Sequence, residues 1–139
     1  MNPGAHNVSA QPSSVACDDL IDAAKASTSP PAPPQGGQVY IGSGDTFFMG
    51  SEGRRWGENV DYYDGAFQMK IGIYTLDKGP PTMSIIRTDG RANGRAEFAP
   101  TAHGLPGPLP TVLTFPSAGC WRVEAHGARG SATILARVR

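Results

Sequence analysis

Two cysteines, three histidines and a scatter of carboxylates are the residues of this chain whose types could carry chemistry. Cys17 and Cys120 lie more than a hundred positions apart, a spacing that matches no zinc motif. Two thiols in that relation form a disulfide, hold a metal together, or sit as two unrelated buried cysteines. His6 falls in a polar N-terminal stretch, while His103 and His126 each precede a glycine, at a loop and at a strand end. Solvated loop histidines are the plain reading. The sharper readings are a metal site from His103 and His126, which could converge although far apart in sequence, and a site, for copper or zinc, built from a histidine and a methionine such as Met49 or Met83. Asp61 and Asp64 are near enough in sequence to raise a paired-carboxylate hydrolase, but Asp64 already has a structural role in an Asp64-Gly65 turn. No Ser–His–Asp or Cys–His arrangement can be assembled from the spacing. A non-enzymatic protein without a cofactor is therefore expected.

Gly42-Ser43-Gly44-Asp45 has the glycines of a phosphate cradle but neither the lysine nor the following helix, so turn chemistry accounts for it. The polar loop from Gly50 to Asp64 holds Arg54, Arg55, Trp56, Tyr62 and Tyr63. Aromatic residues and arginine are enriched at binding hot spots, which makes these five the candidate recognition surface. The competing reading has Trp56 and one tyrosine capping the end of the core.

The elements that must position these residues follow from composition and pattern. The chain has 139 residues, which fits one domain. Its 18 glycines and 13 prolines exceed a fifth of the chain, which disfavours helix interiors and suits turn-rich β structure. Twelve basic residues balance twelve acidic ones, so there is no cationic excess for nucleic acid. No apolar run approaches the roughly 20 residues that span a bilayer.

Residues 1–37 read as a tail. Met1 to Ser14 is expected to be disordered, Asp18 to Ala26 to make a short helix, and Pro30 to Pro34 to form an extended polyproline-type spacer. The polar start lacks the basic and apolar regions of a signal peptide. Ser14-Val15-Ala16-Cys17 resembles a lipoprotein cleavage site without the apolar segment ahead of it. The alternatives are an export signal removed, a start assigned too late, or a protein that is not exported.

From residue 38 to 139 the pattern is short strands between turns. Strands are expected over 39–41, 46–49, 66–76, 82–87, 95–99, 111–115, 120–126 and 131–138, with an irregular crossing from Pro100 to Pro110. Trp121, Val123 and Ala125 share one face and Arg122, Glu124 and His126 the other, the alternation of an antiparallel sheet over a core. The expected core is Trp121, Val123, Leu113 or Val112, Phe115, Ile134, Phe67, Met69 and Ile85. The fold class is all-β, an antiparallel, immunoglobulin-like β-sandwich behind a disordered, proline-rich N-terminal segment. Alternation puts Cys120 on the face opposite Trp121, where a disulfide to Cys17 would tie down the N-terminal segment.

Phe115-Pro116-Ser117-Ala118-Gly119-Cys120-Trp121-Arg122-Val123, followed by a glycine turn and an apolar strand, resembles the C-terminus of a family of uncharacterised bacterial exported, lipoprotein-like β-sandwich proteins. Cys17 before Pro30 to Pro34, the glycine-rich Tyr40 to Thr46, and Asp64-Gly65 leading to Met69-Lys70 follow in the same order. Ile73 and Tyr74 stand where the family has paired tryptophans, and 87–110 matches poorly. The resemblance implies a β-sandwich in an extracytoplasmic compartment and carries no activity. The expected function is a monomeric, secreted or cell-envelope domain that binds an unknown envelope or protein partner. The alternatives are a copper- or zinc-binding sandwich or a small hydrolase.

Overall fold

Glycine and aspartate set the hairpins. In the computed structural model, which describes residues 14–24, 39–50, 54–99 and 104–139, β1 (Tyr40–Ser43) returns as β2 (Thr46–Met49) through Gly44-Asp45. Gly44 has φ +63°, as the first central position of a two-residue type II′ turn requires. After the single-turn helix α2 (Arg55–Glu58), β3 (Val60–Tyr63) returns as β4 (Ala66–Thr75). There Asp64 and Gly65 both have positive φ, +52° and +80°, the mark of a type I′ turn. The remaining strands are β5 (Thr82–Arg87), β6 (Arg95–Phe98), β7 (Gly107–Phe115), β8 (Gly119–His126) and β9 (Ser131–Val138). The helix α1 (Ser14–Ala24) precedes them all. It begins at Ser14, earlier than the expected start at Asp18, and takes in residues 15–17. His6, His103, Pro30 to Pro34 and most of the expected disordered start lie outside the described residues.

All pairings are antiparallel and make two sheets. The larger has the order β1-β2-β4-β7-β6, with β3 also on β4; the smaller is β5-β8-β9. β2 and β3 share one edge of the long strand β4, at its C-terminal and N-terminal halves. The inner faces bury Phe48, Met69, Ile73, Leu113 and Phe115 from one sheet against Ile85, Trp121, Val123, Ile134 and Ala136 from the other. This is a β-sandwich, and the expected core residues are buried in it, with Phe67 half-buried at its margin.

Two stretches read as irregular are strands. Val60–Tyr63 pairs with β4, and β7 starts at Gly107, running through Pro108 and Pro110. Proline survives there because of where its nitrogen points. The Ala99 N–H donates to the Pro110 carbonyl (2.8 Å), so residue 110 turns its main-chain groups toward β6, and Pro108, two residues away, does the same. β6 pairs only with residues 111–114, so Pro110 falls at the end of that ladder, beside Ala99, and Pro108 beyond it.

The Phe115 to Val123 motif is the crossover between sheets. Phe115 ends β7, and Trp121 lies on β8 with the ring centroids 5.2 Å apart. Trp121 Nε1 donates to the Ser117 carbonyl (3.0 Å), and the Thr88 N–H donates to the Cys120 carbonyl (2.8 Å). Gly119 has φ +143°, which favours glycine at that bend. Arg87 donates to Ser117 Oγ (2.8 Å) and is paired with Asp89 (3.0 Å). Every one of these contacts shapes the crossing.

At the other end the Gly44-Asp45 turn is latched to the turn between β8 and β9. The Arg129 N–H donates to Asp45 Oδ2 (3.0 Å), Thr46 Oγ1 donates to Asp45 Oδ1 (2.9 Å), and Ser43 Oγ donates to the Ser131 carbonyl (3.2 Å). A Cβ on Gly44 or Gly130 would overlap the backbone of the facing turn. The glycine-rich segment is therefore a fastening between sheets, as turn chemistry anticipates. Asp45→Ala deprives a half-buried N–H of its acceptor. It is expected to cost about 1–3 kcal/mol, seen as a lower urea midpoint with an unchanged slope.

Candidate binding face

The side chains singled out in the sequence fall into separate places because the sheets give them different faces. Cys17 and Cys120 form a disulfide, with Cα atoms 5.7 Å apart. Cys120 alternates with the inward Trp121, so its sulfur leaves the outer face of the small sheet and pulls α1 onto it. Ile21 packs there with both cysteines and with Leu135. Asp18 receives Arg137 at 3.3 Å. With its sulfur in this bond, Cys17 cannot also carry a thioether-linked lipid, so residues 14–17 are not a lipidation site in this state.

The five residues of the 50–64 loop divide three ways. Arg54, 56% exposed in its side chain, reaches Asp22 at 2.7 Å and Asp18 at 3.7 Å, and so fastens α2 to α1. The hydrogen bond to Asp22, then the charges of Asp22 and Asp18, push the guanidinium pKa further up. Trp56 is only 2% exposed and stands edge-on to Phe48 with centroids 6.3 Å apart. It belongs to the core and offers no surface, a correction to the grouping of all five. The physical reason is the helical turn at 55–58, which directs position 56 inward while Arg55 stays exposed. Tyr62 and Tyr63 are each 67% exposed on β3, on opposite faces of the strand. Tyr62 leans on Phe67, centroids 4.9 Å apart.

Among the described residues, the candidate catalytic and metal-binding side chains do not converge. His126 Nε2 lies 3.0 Å from Glu124 Oε1 on the outer face of the small sheet. Asp61 projects from the outer face of the large one, opposite Gln68. Asp64 occupies the turn after it. Met83 packs into the core and Met49 lies on the outer face of the large sheet, over Gly72. Among the described residues, no group of three or more His, Cys, Asp or Glu is placed to hold a metal ion.

What the fold does assemble is the outer face of the large sheet. Register aligns Asp61, Gln68, Thr114 and Arg95 in one row across four strands, and Lys70, Val112 and Glu97 in the next. Two hollows adjoin there. An apolar groove of about 540 Å³ is lined by Met49, Gly72, Pro108, Pro110 and Val112. A polar hollow of about 380 Å³ is lined by Glu58, Asn59, Asp61 and Gln68. Lys70 borders both. Beyond the groove Tyr40, Phe47 and Tyr74 form a separate buried cluster on the same face, with Tyr40 and Tyr74 edge-to-face at 6.0 Å.

Gln68, Lys70, Pro110 and Val112 are not among the site residues expected from sequence, and Val112, the alternative to Leu113 in the core, lies on the outer face opposite Lys70. The signal for them was the alternation of β4, whose Phe67, Met69 and Ile71 face inward and so send Gln68 and Lys70 out. The partner strands that complete the row were not readable. No protein-family model, curated protein or solved structure matches the chain. No described helix is long and apolar enough to cross a membrane.

Proposed function

We propose that this chain is a monomeric, non-enzymatic binding domain of the cell envelope, secreted or envelope-attached. On this reading it is built on an immunoglobulin-like sandwich and engages its partner through the outer face of the large sheet. The observation that carries the reading is an asymmetry between the sheets. The small sheet's outer face holds α1 through a disulfide, the Arg137–Asp18 ion pair and an apolar contact, and Arg54 beside α2 adds ion pairs to Asp18 and Asp22. The large sheet's outer face instead carries two adjoining hollows within the size range of ligand sites, apolar on one side with a few polar groups beside it. The disulfide favours an oxidising compartment, and the C-terminal motif resembles that of exported β-sandwich proteins. Asp61 and His126, two of the described residues that a small hydrolase could use, lie on opposite outer faces.

Co-sedimentation of the purified protein with envelopes of the producing cells tests this. A Lys70→Glu, Val112→Glu double variant is expected to bind at least about tenfold more weakly, a loss of about 1.4 kcal/mol. Thr133→Lys, on the exposed outer face of the small sheet, is expected to bind as the unaltered protein does. Equal binding by the double variant would remove the large sheet from the interaction.

A further inference from the structure

Resting on the proposed binding face, we infer that the polar hollow beside Tyr63 takes a neutral, N-acetylated oligosaccharide. The wall of the hollow mixes hydrogen-bonding capacities. Glu58 and Asp61 only accept, Lys70 only donates, and Asn59 and Gln68 do both. The side chains of Glu58, Asp61, Gln68 and Lys70 make no hydrogen bond or ion pair within the described protein. A sugar hydroxyl donates one hydrogen bond and accepts others. A run of hydroxyls therefore suits a wall that mixes acceptors, donors and amides.

The second requirement of a sugar is a flat apolar surface, because one face of a pyranose ring presents C–H groups. Tyr63 supplies it. It lies on β3 two residues from Asp61, on the same face of the sheet, and is 67% exposed. Its cross-strand neighbour is Ala66, too small to cover the ring. Tyr62 points to the other face and already packs on Phe67. Of the two tyrosines, Tyr63 alone is on the face of the hollow, flanking it beyond Asp61.

Charge decides between ligand classes. Two carboxylates against one lysine disfavour a polyanion, and the ammonium of Lys70 disfavours a divalent cation, which would need about six oxygens. A neutral chain meets neither repulsion. The apolar groove beyond Lys70 then favours a ligand with an apolar substituent, and the methyl of an acetamido group has that character. Met49, over Gly72 at the groove, brings an adaptable thioether to that contact.

Titration of the isotope-labelled protein with chitohexaose, cellohexaose and maltohexaose, followed by NMR, tests the assignment. The side-chain amide signals of Asn59 and Gln68 report on the hollow directly. Chitohexaose is expected to shift both at millimolar concentration or below, several-fold more tightly than the other two sugars. Raising salt should leave the affinity unchanged. Tyr63→Ala and Asp61→Asn should each weaken binding about tenfold or more, while Tyr62→Ala stays within about twofold. Absence of shifts, equal affinity for cellohexaose, or a Tyr63→Ala variant that binds normally would overturn the inference. Co-sedimentation with envelopes that still depends on Lys70 and Val112 would then leave the binding face standing with a different ligand. Loss of both would remove the face itself.

Discussion

Trp121→Ala is expected to destabilise the domain by about 3–5 kcal/mol, a large part of the roughly 5–15 kcal/mol that holds a domain together. Trp121 is fully buried between the sheets, and three separate things are lost with it. Its apolar area leaves the core. Phe115, 5.2 Å away, loses its ring partner. The Ser117 carbonyl loses the indole N–H that fixes the crossover. Trp121→Phe separates these effects, since a ring remains against Phe115 while the hydrogen bond goes. It is expected to cost less, about 1–3 kcal/mol. Urea denaturation of the two variants gives the comparison. A Trp121→Ala midpoint close to that of the unaltered protein would mean that the sheets are not held at this crossover.

Trp121 also shows which parts of the molecule its sequence makes legible. Along β8 and β9 every second residue from Trp121 and from Ala132 is apolar, broken on the outer face only by Cys120 and Leu135, and the glycines that end the strands sit at the turns. Faces, core and even the outward aim of Cys120 follow from period alone. The Asp64-Gly65 turn is equally local, because few other dipeptides accept two positive φ angles. Trp56 is legible only as one of two readings, a cap on the end of the core or part of a recognition surface, and burial decides for the first. Its neighbours Arg54, Arg55 and Glu58 are all exposed, and only the packing of α2 on β9 explains why position 56 turns into the core. Pro108 and Pro110 hid a strand for a related reason: proline breaks a ladder only on the side where a partner lies, and sequence does not say where β6 stops. Of the binding face, Gln68 and Lys70 could be inferred from β4. Their two rows are completed by Thr114 for Gln68 and by Val112 and Glu97 for Lys70, residues more than twenty positions away that only the register of three strands brings together.

The disulfide is the second large expected effect. Reduction, or a Cys17→Ala, Cys120→Ala double variant, is expected to cost about 2–5 kcal/mol, because a bond closing a 103-residue separation removes much of the freedom of the unfolded chain. For a domain of this size that corresponds to a fall in melting temperature on the order of 10 °C. Both sheets should survive below that temperature, since their ladders and the core between them do not pass through α1. The helix itself keeps Ile21 against Leu135, Asp18 with Arg137 and Asp22 with Arg54. These contacts are expected to hold it weakly, because an exposed ion pair such as Asp22–Arg54 contributes about 0–1 kcal/mol and the half-buried Asp18–Arg137 pair is a single contact. Hydrogen exchange should therefore show residues 14–24 losing protection on reduction while β7 and β8 retain theirs. Protein taken from its producing cells with thiols blocked on lysis should show no alkylation by intact mass until reductant is added. Two freely alkylated cysteines in that sample would mean that the bond does not form in the cell, and the extracytoplasmic reading would lose its main chemical support. An intact bond whose reduction leaves the melting temperature unchanged would place the stabilisation in the α1 contacts instead, and an Arg54→Ala, Ile21→Ala variant would then have to carry the loss.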